Sequence, residues 1–317
     1  MVCILILKRR LIAIIQTKHQ PKIFMVKKMT IYNLKNYRDY MRNANQTLRE
    51  HYDNDPLIVA CREAARTKIA NALQSDGVLD WSMLPNLLTR NPKLVKSDKE
   101  DVLTAGIAMA ASWASGYNGC NDASIGCGKV CLTFSGHGQK HMVIDGRHHV
   151  HIARITRMLL WMEYRDQFKA RLLHEIRLHK RKADRLGVTC SVRPNVVQDI
   201  MWEKLFPEMF SAFPDVVFYD YTKNIRRDVS HIPNYSLTFS LNESNSLFIE
   251  TAFMKGWNVA VVLRNAAKVL PKQFMGKRVI NGDAHDYRPS DPHGVFVGLL
   301  PKGPTAWKDT SGFVYDA

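Results

Sequence analysis

The sequence predicts an α/β fold, a complete or partial parallel (β/α) barrel preceded by an N-terminal helical region. Three observations lead there. After Gly187 the chain repeats a rhythm of apolar β-rich run, polar tail, and helix or loop. Runs such as "VAVVL" lack the alternation of a half-exposed strand, as strands covered on both faces do. Upstream, residues 34–73 place apolar side chains at helical spacing among charges of both signs. With 317 residues, 46% of them hydrophobic, the chain can bury one large core or two modest ones. A flat doubly wound sheet is the alternative, and no glycine-rich phosphate fingerprint speaks for it.

Residues 1–28 hold seven lysines and arginines and no acid, so the formal charge of +16 falls to +9 over the remainder. The opening "MVCILILKRRLIAII" is broken by its basic triplet and is too short to span a bilayer. It reads either as an over-extended start, with Met25 and Met29 downstream, or as a basic amphipathic arm. Residues 29–100 form the helical region. In "DPLIVACREAARTKIANAL", Asp55 is placed to cap a helix ahead of Pro56. "SDGVLDWSMLPNLLTRNPKLVKSDKED" reads as turns and short helices, a linker or a lid.

Residues 101–303 form the barrel-like domain. The first half of "VLTAGIAMAASWAS" is a buried strand that leads into a cysteine-rich loop. "HHVHIARITRMLLWMEYRDQFKARLLHEIRLHKRKADRLG" is one long helix or two consecutive ones, ending at Gly187. Six strands follow, in "VTCSVRPN", "DVVFYDYTKN", "YSLTFSLNES", "WNVAVVLRN", "KRVINGDAHDYR" and "GVFVGLLPKG", with "NVVQDIMWEKLFPEMF" and "NSLFIETAFMKG" as connecting helices. Residues 304–317 are left as a C-terminal tail. No window approaches the ~18–20 apolar residues of a membrane helix.

Parallel α/β folds bind ligands beyond the carboxyl ends of their strands, and here those ends are densely polar. The catalytic candidates are Asp220, Lys223, Glu243, Asp283 and His285. Candidates for binding a cofactor or anionic substrate are Ser191, Arg193, Asn195, Ser240, Asn242 and Arg264. Asp283, His285 and Asp286 form either a proton-transfer or metal group or a turn in which Asp286 pairs with Arg288.

Three of the six cysteines, Cys120, Cys127 and Cys131, lie in "GYNGCNDASIGCGKVCLTFSGHG" at C-x6-C-x3-C spacing. Too few cysteines are present for a disulfide framework, which points to a reducing compartment with thiols free for metal. Thiolates favour zinc or iron–sulfur clusters, and Gly119, Gly126 and Gly128 let the backbone bend towards them. A zinc site needs a fourth ligand, with His137, His141, His148, His149 and His151 downstream. A four-iron four-sulfur cluster with one open iron needs only the three thiols. Cys3, Cys61 and Cys190 read as structural or incidental.

The cysteine loop, taken with "HIARITRMLLW", "SVRPNVVQDIMWEK", "DVVFYDYTKN", "YSLTFSLNES" and "NGDAHDYR…GVFVGLLPKG", resembles the bacteriophage family called gene product 88 over about Val102 to Gly303. That resemblance implies a phage origin and expression in the host cytoplasm. A looser similarity is to radical S-adenosylmethionine enzymes, partial barrels with a three-cysteine loop after the first strand. It implies Cys120, Cys127 and Cys131 as cluster ligands and S-adenosylmethionine on the open iron, although the spacing departs from their common C-x3-C-x2-C and no Gly-Gly-Glu follows the next strand. Two functions are therefore expected. One is a radical S-adenosylmethionine-like enzyme acting on a nucleotide, nucleic acid or other anionic substrate. The other is a non-catalytic zinc protein that binds nucleic acid or a host factor through the basic face of Arg165, Lys169, Arg171, Arg177, Lys180, Arg181, Lys182 and Arg185.

Overall fold

The computed structural model describes residues 34–131 and 148–317. The basic extension, Cys3, His137 and His141 lie outside the described residues.

The helical region is α1 (Leu34–Asp53) and α2 (Pro56–Ala72). Asp55 Oδ1 accepts from the Leu57 amide at 3.0 Å just ahead of Pro56, so the predicted cap forms. On α1 the buried residues Met41, Ala44, Leu48 and Tyr52 recur every three or four positions and make one packed stripe. The polar stretch that follows holds β1 (Leu88–Thr89), α3 (Pro92–Val95) and a 3-10 turn at Lys96–Glu100. Then come β2 (Val102–Ile107), the short α4 (Ile125–Lys129) inside the cysteine loop, α5 (His149–Glu163) and α6 (Arg165–Leu186). The long basic stretch is thus two helices, broken at Tyr164, and α6 stops at Gly187 in the left-handed region with φ 67°.

The remaining elements are β3 (Thr189–Arg193), α7 (Trp202–Leu205), α8 (Glu208–Ser211), β4 (Val217–Thr222), β5 (Tyr235–Ser240) and α9 (Ile249–Met254). They continue with β6 (Val259–Arg264), β7 (Gln273–Phe274), β8 (Lys277–Asn281), β9 (Phe296–Leu299), α10 (Gly303–Trp307) and β10 (Val314–Asp316). The helix expected in "NVVQDIMWEKLFPEMF" is only two short turns. Pro207 lacks the amide that would carry α7 onward, and the residues before Trp202 form a loop pinned by Asn195. The last residues join the sheet, because β10 pairs in parallel with β6.

The strands form one mixed sheet in the order β1-β2-β3-β4-β5-β6-β9-β8-β7, with β10 beside β6. All pairs are parallel except β1 with β2 and β7 with β8, the two ends of the path. Order is sequential from β2 to β6 and then runs β9-β8-β7, so the reversal of a doubly wound sheet does not occur at its centre. Among the described residues no ladder joins β1 to β7.

Alternation along the strands separates two faces. Leu103, Val192, Phe218, Leu237, Phe239, Val259 and Val261 point into the main core with Ile155, Leu159, Leu172 and Ile176 of α5 and α6. Thr104, Ser191, Arg193, Tyr219 and Tyr221 hold the opposite parity, giving a second face that is buried but polar. On that face Leu94 packs with Ala108 and Val196, and a Cβ on Gly106 would meet Val196 Cγ2 at 2.5 Å and Arg193 O at 2.9 Å.

Beside β4, Arg227 is wholly buried. Its Nε and Nη2 donate to the two oxygens of Glu203 at 3.1 and 2.7 Å, and Nη1 donates to Asp199 at 3.2 Å. Nη2 also donates to the Tyr235 hydroxyl at 2.6 Å, which donates in turn to Asp220 at 2.6 Å. Replacing Arg227 with Met removes the cation and leaves Glu203 buried without it. The expected loss is about 3–5 kcal/mol of unfolding free energy in urea titration. A loss under about 1 kcal/mol would show that the cluster is not integral to the fold.

Candidate metal centre

Cys127 lies in α4, and Cys131 lies two residues past its end. The fixing of α4 is local. Ser124 caps it, with Oγ accepting from the Cys127 amide at 3.1 Å and donating to Glu243 Oε2 at 2.7 Å. Glu243 Oε1 accepts from the Gly126 amide at 2.7 Å and from the Tyr40 hydroxyl at 3.0 Å. Gly126 and Gly128 are required by close packing and not by bending, which corrects the expectation from sequence. A Cβ on Gly128 would stand 2.1 Å from Leu48 Cδ2, and one on Gly126 would stand 2.2 Å from Ser311 Oγ and 2.7 Å from Glu243.

Cys120 is brought in from the other end of the loop. Its amide donates to Asn118 Oδ1 at 2.9 Å, and its thiol faces Val197 O at 3.8 Å, in the loop after β3. The Asp199 amide ties that same loop to Gly119 O at 2.8 Å. From the N-terminal helices, Asn45 accepts from Trp113 Nε1 and Asn118 Nδ2 at 2.7 and 2.8 Å. Arg62 donates to the carbonyls of Ala114 and Trp113 at 2.9 and 2.6 Å. The helical region therefore braces the cysteine loop.

The three sulfurs share one electrostatic neighbourhood. Burial pushes the Tyr52 hydroxyl well above its ordinary value, and Cys131, Cys120 and Cys127 add to the rise. Burial raises Cys120, whose thiol feels Cys131 and Cys127, and lifts Cys127 to about 11. Two cations face the trio. Burial alone would lower Lys223, but Cys127, Asp199 and Cys120 hold it above its ordinary value. Arg154 is lowered by burial and raised by Cys131.

The donor set suits a thiophilic centre, with soft sulfur ligands and two cations able to offset thiolate charge. Its spacing is looser than a preformed cage. Among the described residues no three His, Cys, Asp or Glu side chains already stand as a metal-holding group. Of the candidate fourth ligands, His148 and His151 lie at the start of α5 with rings 6.2 Å apart, and His149 lies between them.

The other predicted residues separate into those at this centre and those elsewhere. Ser240 Oγ accepts from Lys223 Nζ at 3.3 Å. Asn242 shapes the turn before Glu243, accepting from the Ser244 amide and hydroxyl at 2.8 Å each. Asp220 points to the helix-covered side of β4, opposite Lys223, and accepts from the Asn195 amide, Asn195 Nδ2 and Tyr235 at 2.7, 2.7 and 2.6 Å. Burial lifts it to about 7 against the pull of Arg227 and these donors. Ser191 Oγ donates to Val217 O at 3.0 Å within the sheet. Arg264 binds the C-terminal segment, through Asp316 at 2.9 Å and the Trp307 and Asp309 carbonyls at 2.8 and 2.9 Å. Asp283 holds the Leu300 amide and Lys302 Nζ at 2.9 and 2.8 Å, and His285 contacts Arg288.

Asp286 does not pair with Arg288 as the turn reading expects. It is fully buried and accepts from Arg193 Nη1, Lys93 Nζ and the Tyr219 hydroxyl, each at 2.9 Å to the nearer oxygen. Arg288 pairs with Asp291 at 3.1 Å. Tyr40, Tyr52 and Arg154 escape a reading of strand ends because they lie on helices, Asp199 because it stands six residues past β3, and Lys93 because β1 is too short to be read from sequence. The three- and four-residue spacing of aromatic and apolar side chains along α1 is the one signal that marks Tyr40 and Tyr52 as inward-facing.

A family model described as Gene product 88 matches residues 86–317, well over half of the chain. No curated protein and no solved structure matches. The looser likeness to radical S-adenosylmethionine enzymes thus finds no support in these comparisons.

Lys223 holds the Cys127 proton more loosely than burial alone would. Lys223→Met is therefore expected to slow alkylation of Cys127 at pH 8 by roughly three- to tenfold, read by mass spectrometry, since one pKa unit is tenfold in thiolate. An unchanged rate would separate Lys223 from the thiols. In the wild type the folded chain binds this proton more tightly than a thiol titrating at 9.0. Its contribution to stability is full below pH 9 and declines as pH rises towards about 11.

Proposed function

As the chain belongs to the gene product 88 family, we propose that it is an iron–sulfur enzyme of the infected host's cytoplasm, acting on a nucleotide, nucleic acid or other anionic substrate. Cys120, Cys127 and Cys131 are the ligands of a four-iron four-sulfur cluster, and its open iron is the place for substrate or for S-adenosylmethionine. A cluster of that kind supplies one-electron chemistry. Lys223 and Arg154 offset the charge of the thiolates, Tyr52 closes the inner side, and Glu243 positions α4 without touching the reacting atoms.

The observation that carries this reading is the electrostatic neighbourhood that the three thiols share, on a loop that follows β2 and touches the loop after β3, with the cation that follows β4. The architecture agrees with it. Parallel strands in sequential order from β2 to β6 are the arrangement a partial barrel has. We read the sheet accordingly as a partial barrel whose inner face is the polar one.

A second reading has its own support. On α6, Arg177, Arg181, Lys182 and Arg185 are exposed with no ion pair among the described residues, whereas Arg171 and Lys180 are engaged by Glu175 and Asp184. Such a face suits nucleic acid phosphates, with zinc in the cysteine loop. No helix of the described residues is long and apolar enough to cross a membrane.

Anaerobic purification followed by iron, sulfide and zinc analysis distinguishes the readings. The enzyme reading expects brown protein with about four irons per chain and loss of colour in Cys127→Ser. Cleavage of added S-adenosylmethionine by the reduced protein would assign the open iron. Colourless protein with one tight zinc sinks the cluster and favours the binder.

A further inference from the structure

The polar face of the sheet holds a second group of charges that the cysteine centre does not use. Lys93 of α3, Arg193 of β3, Tyr221 of β4 and Arg288 of the loop before β9 come together there. Lys93 Nζ and the Arg193 guanidinium lie over the Tyr221 ring at 5.1 and 4.6 Å. Arg288, Asp286, Arg193 and Asp291 are all felt at the Tyr221 hydroxyl. Three cations face two carboxylates, and Asp286 is already saturated by Arg193, Lys93 and Tyr219.

Arg288 is the anomaly. It is only 4% exposed, and one arm is settled, with Nη2 donating to His285 O at 2.7 Å. Among the described residues its Nε and Nη1 have no hydrogen-bond acceptor, although Nη1 stands 3.1 Å from Asp291 Oδ2 as an ion pair. The buried Tyr221 hydroxyl likewise has no partner among them. Buried donors without acceptors are rare in folded proteins because each forfeits its hydration. Asp291 Oδ2 is unmatched as well and faces Nη1, and Glu100 is felt at Asp291, so the donors left over are Arg288 Nε and the Tyr221 hydroxyl, which an oxyanion would fill.

We propose that Lys93, Arg193, Tyr221 and Arg288 bind the oxyanion of a small ligand, a phosphate or carboxylate group, on the polar face of the sheet. Arg288 and Tyr221 donate to it, while Arg193 and Lys93 set the potential and remain tied to Asp286. Tyr221 and Lys223 occupy the same face of β4, as Ser240 at the Lys223 amine and Thr238 opposite Tyr221 require. Two residues along a strand span ~7 Å. A small molecule anchored by its anionic end at Tyr221 therefore presents its other end to Lys223 and the cysteines. The proposal rests on the anionic-substrate part of the function proposed above and on nothing about the metal.

Isothermal titration of the full chain with inorganic phosphate, adenosine monophosphate and succinate tests it, with metal content measured on the same samples. At least one of the three is expected to bind saturably, and the pattern identifies a free phosphate, a phosphomonoester or a carboxylate as the chemistry recognised. Arg288→Gln is expected to weaken that binding tenfold or more, and Tyr221→Phe several-fold. Tyr221→Phe keeps the ring under both cations and so decides the matter should Arg288→Gln not fold. Absence of binding by all three, or equal affinity in wild type and Tyr221→Phe, overturns the site. Failure here with metal retained leaves the cluster reading standing, and metal loss with anion binding kept does the reverse.

Discussion

The architecture turns on the burial of one guanidinium. Arg227 sits where no water can reach it, and its charge is balanced within the fold by Glu203 and Asp199. Asp199 in turn accepts from the Thr222 hydroxyl and the Lys223 amide at 3.1 and 2.8 Å, while the Tyr235 hydroxyl passes the network on to Asp220 and from there to Asn195. Removing any member leaves an uncompensated charge in a low dielectric, so the carboxyl ends of β3 and β4 are fixed relative to one another by electrostatics as much as by their ladder. Everything placed beyond those ends, Lys223 included, inherits that fixity.

The cysteine loop is held from three distant parts of the chain. Asn45 and Arg62 reach it from α1 and α2, Glu243 from the turn after β5, and Ser311 from the C-terminal segment that Arg264 anchors. A polar, glycine-rich loop buries little apolar surface of its own, and its conformation must come from such hydrogen bonds and from contacts that leave no room for a side chain at Gly126 or Gly128. The helical region is accordingly part of the centre's frame, and the bonds that hold it join residues far apart in sequence.

Much of this was legible in the amino-acid order. The seven longer strands, the cap at Asp55 and the stop at Gly187 follow from apolar runs and local backbone chemistry, which are short-range properties. The strands β1, β7 and β10 were not legible, since two or three residues carry no periodicity. The strand-end rule picks out Lys223, Ser240 and Glu243, which lie by the cysteine loop, together with Asp220, Ser191 and Arg264, which lie elsewhere, because a polar residue after or within a strand also serves as a latch. Side-chain parity separates Lys223 from Asp220 on β4, and only the register with β5 fixes which face is which. Tyr52, Arg154 and Lys93 were invisible for a different reason: their roles depend on tertiary contacts that no local pattern encodes.

The raised thiols have a consequence for the life of the polypeptide before any ligand arrives. Peroxide and disulfides attack through the sulfur anion, and Cys127, held near 11, offers very little of it in neutral solution. The burial that makes Cys120 and Cys127 costly to ionise thus also shields them from scavenging by oxidants. Sulfenic acid and mixed disulfides should form there slowly compared with an open surface cysteine, so a newly synthesised chain keeps its reduced sulfurs in reserve.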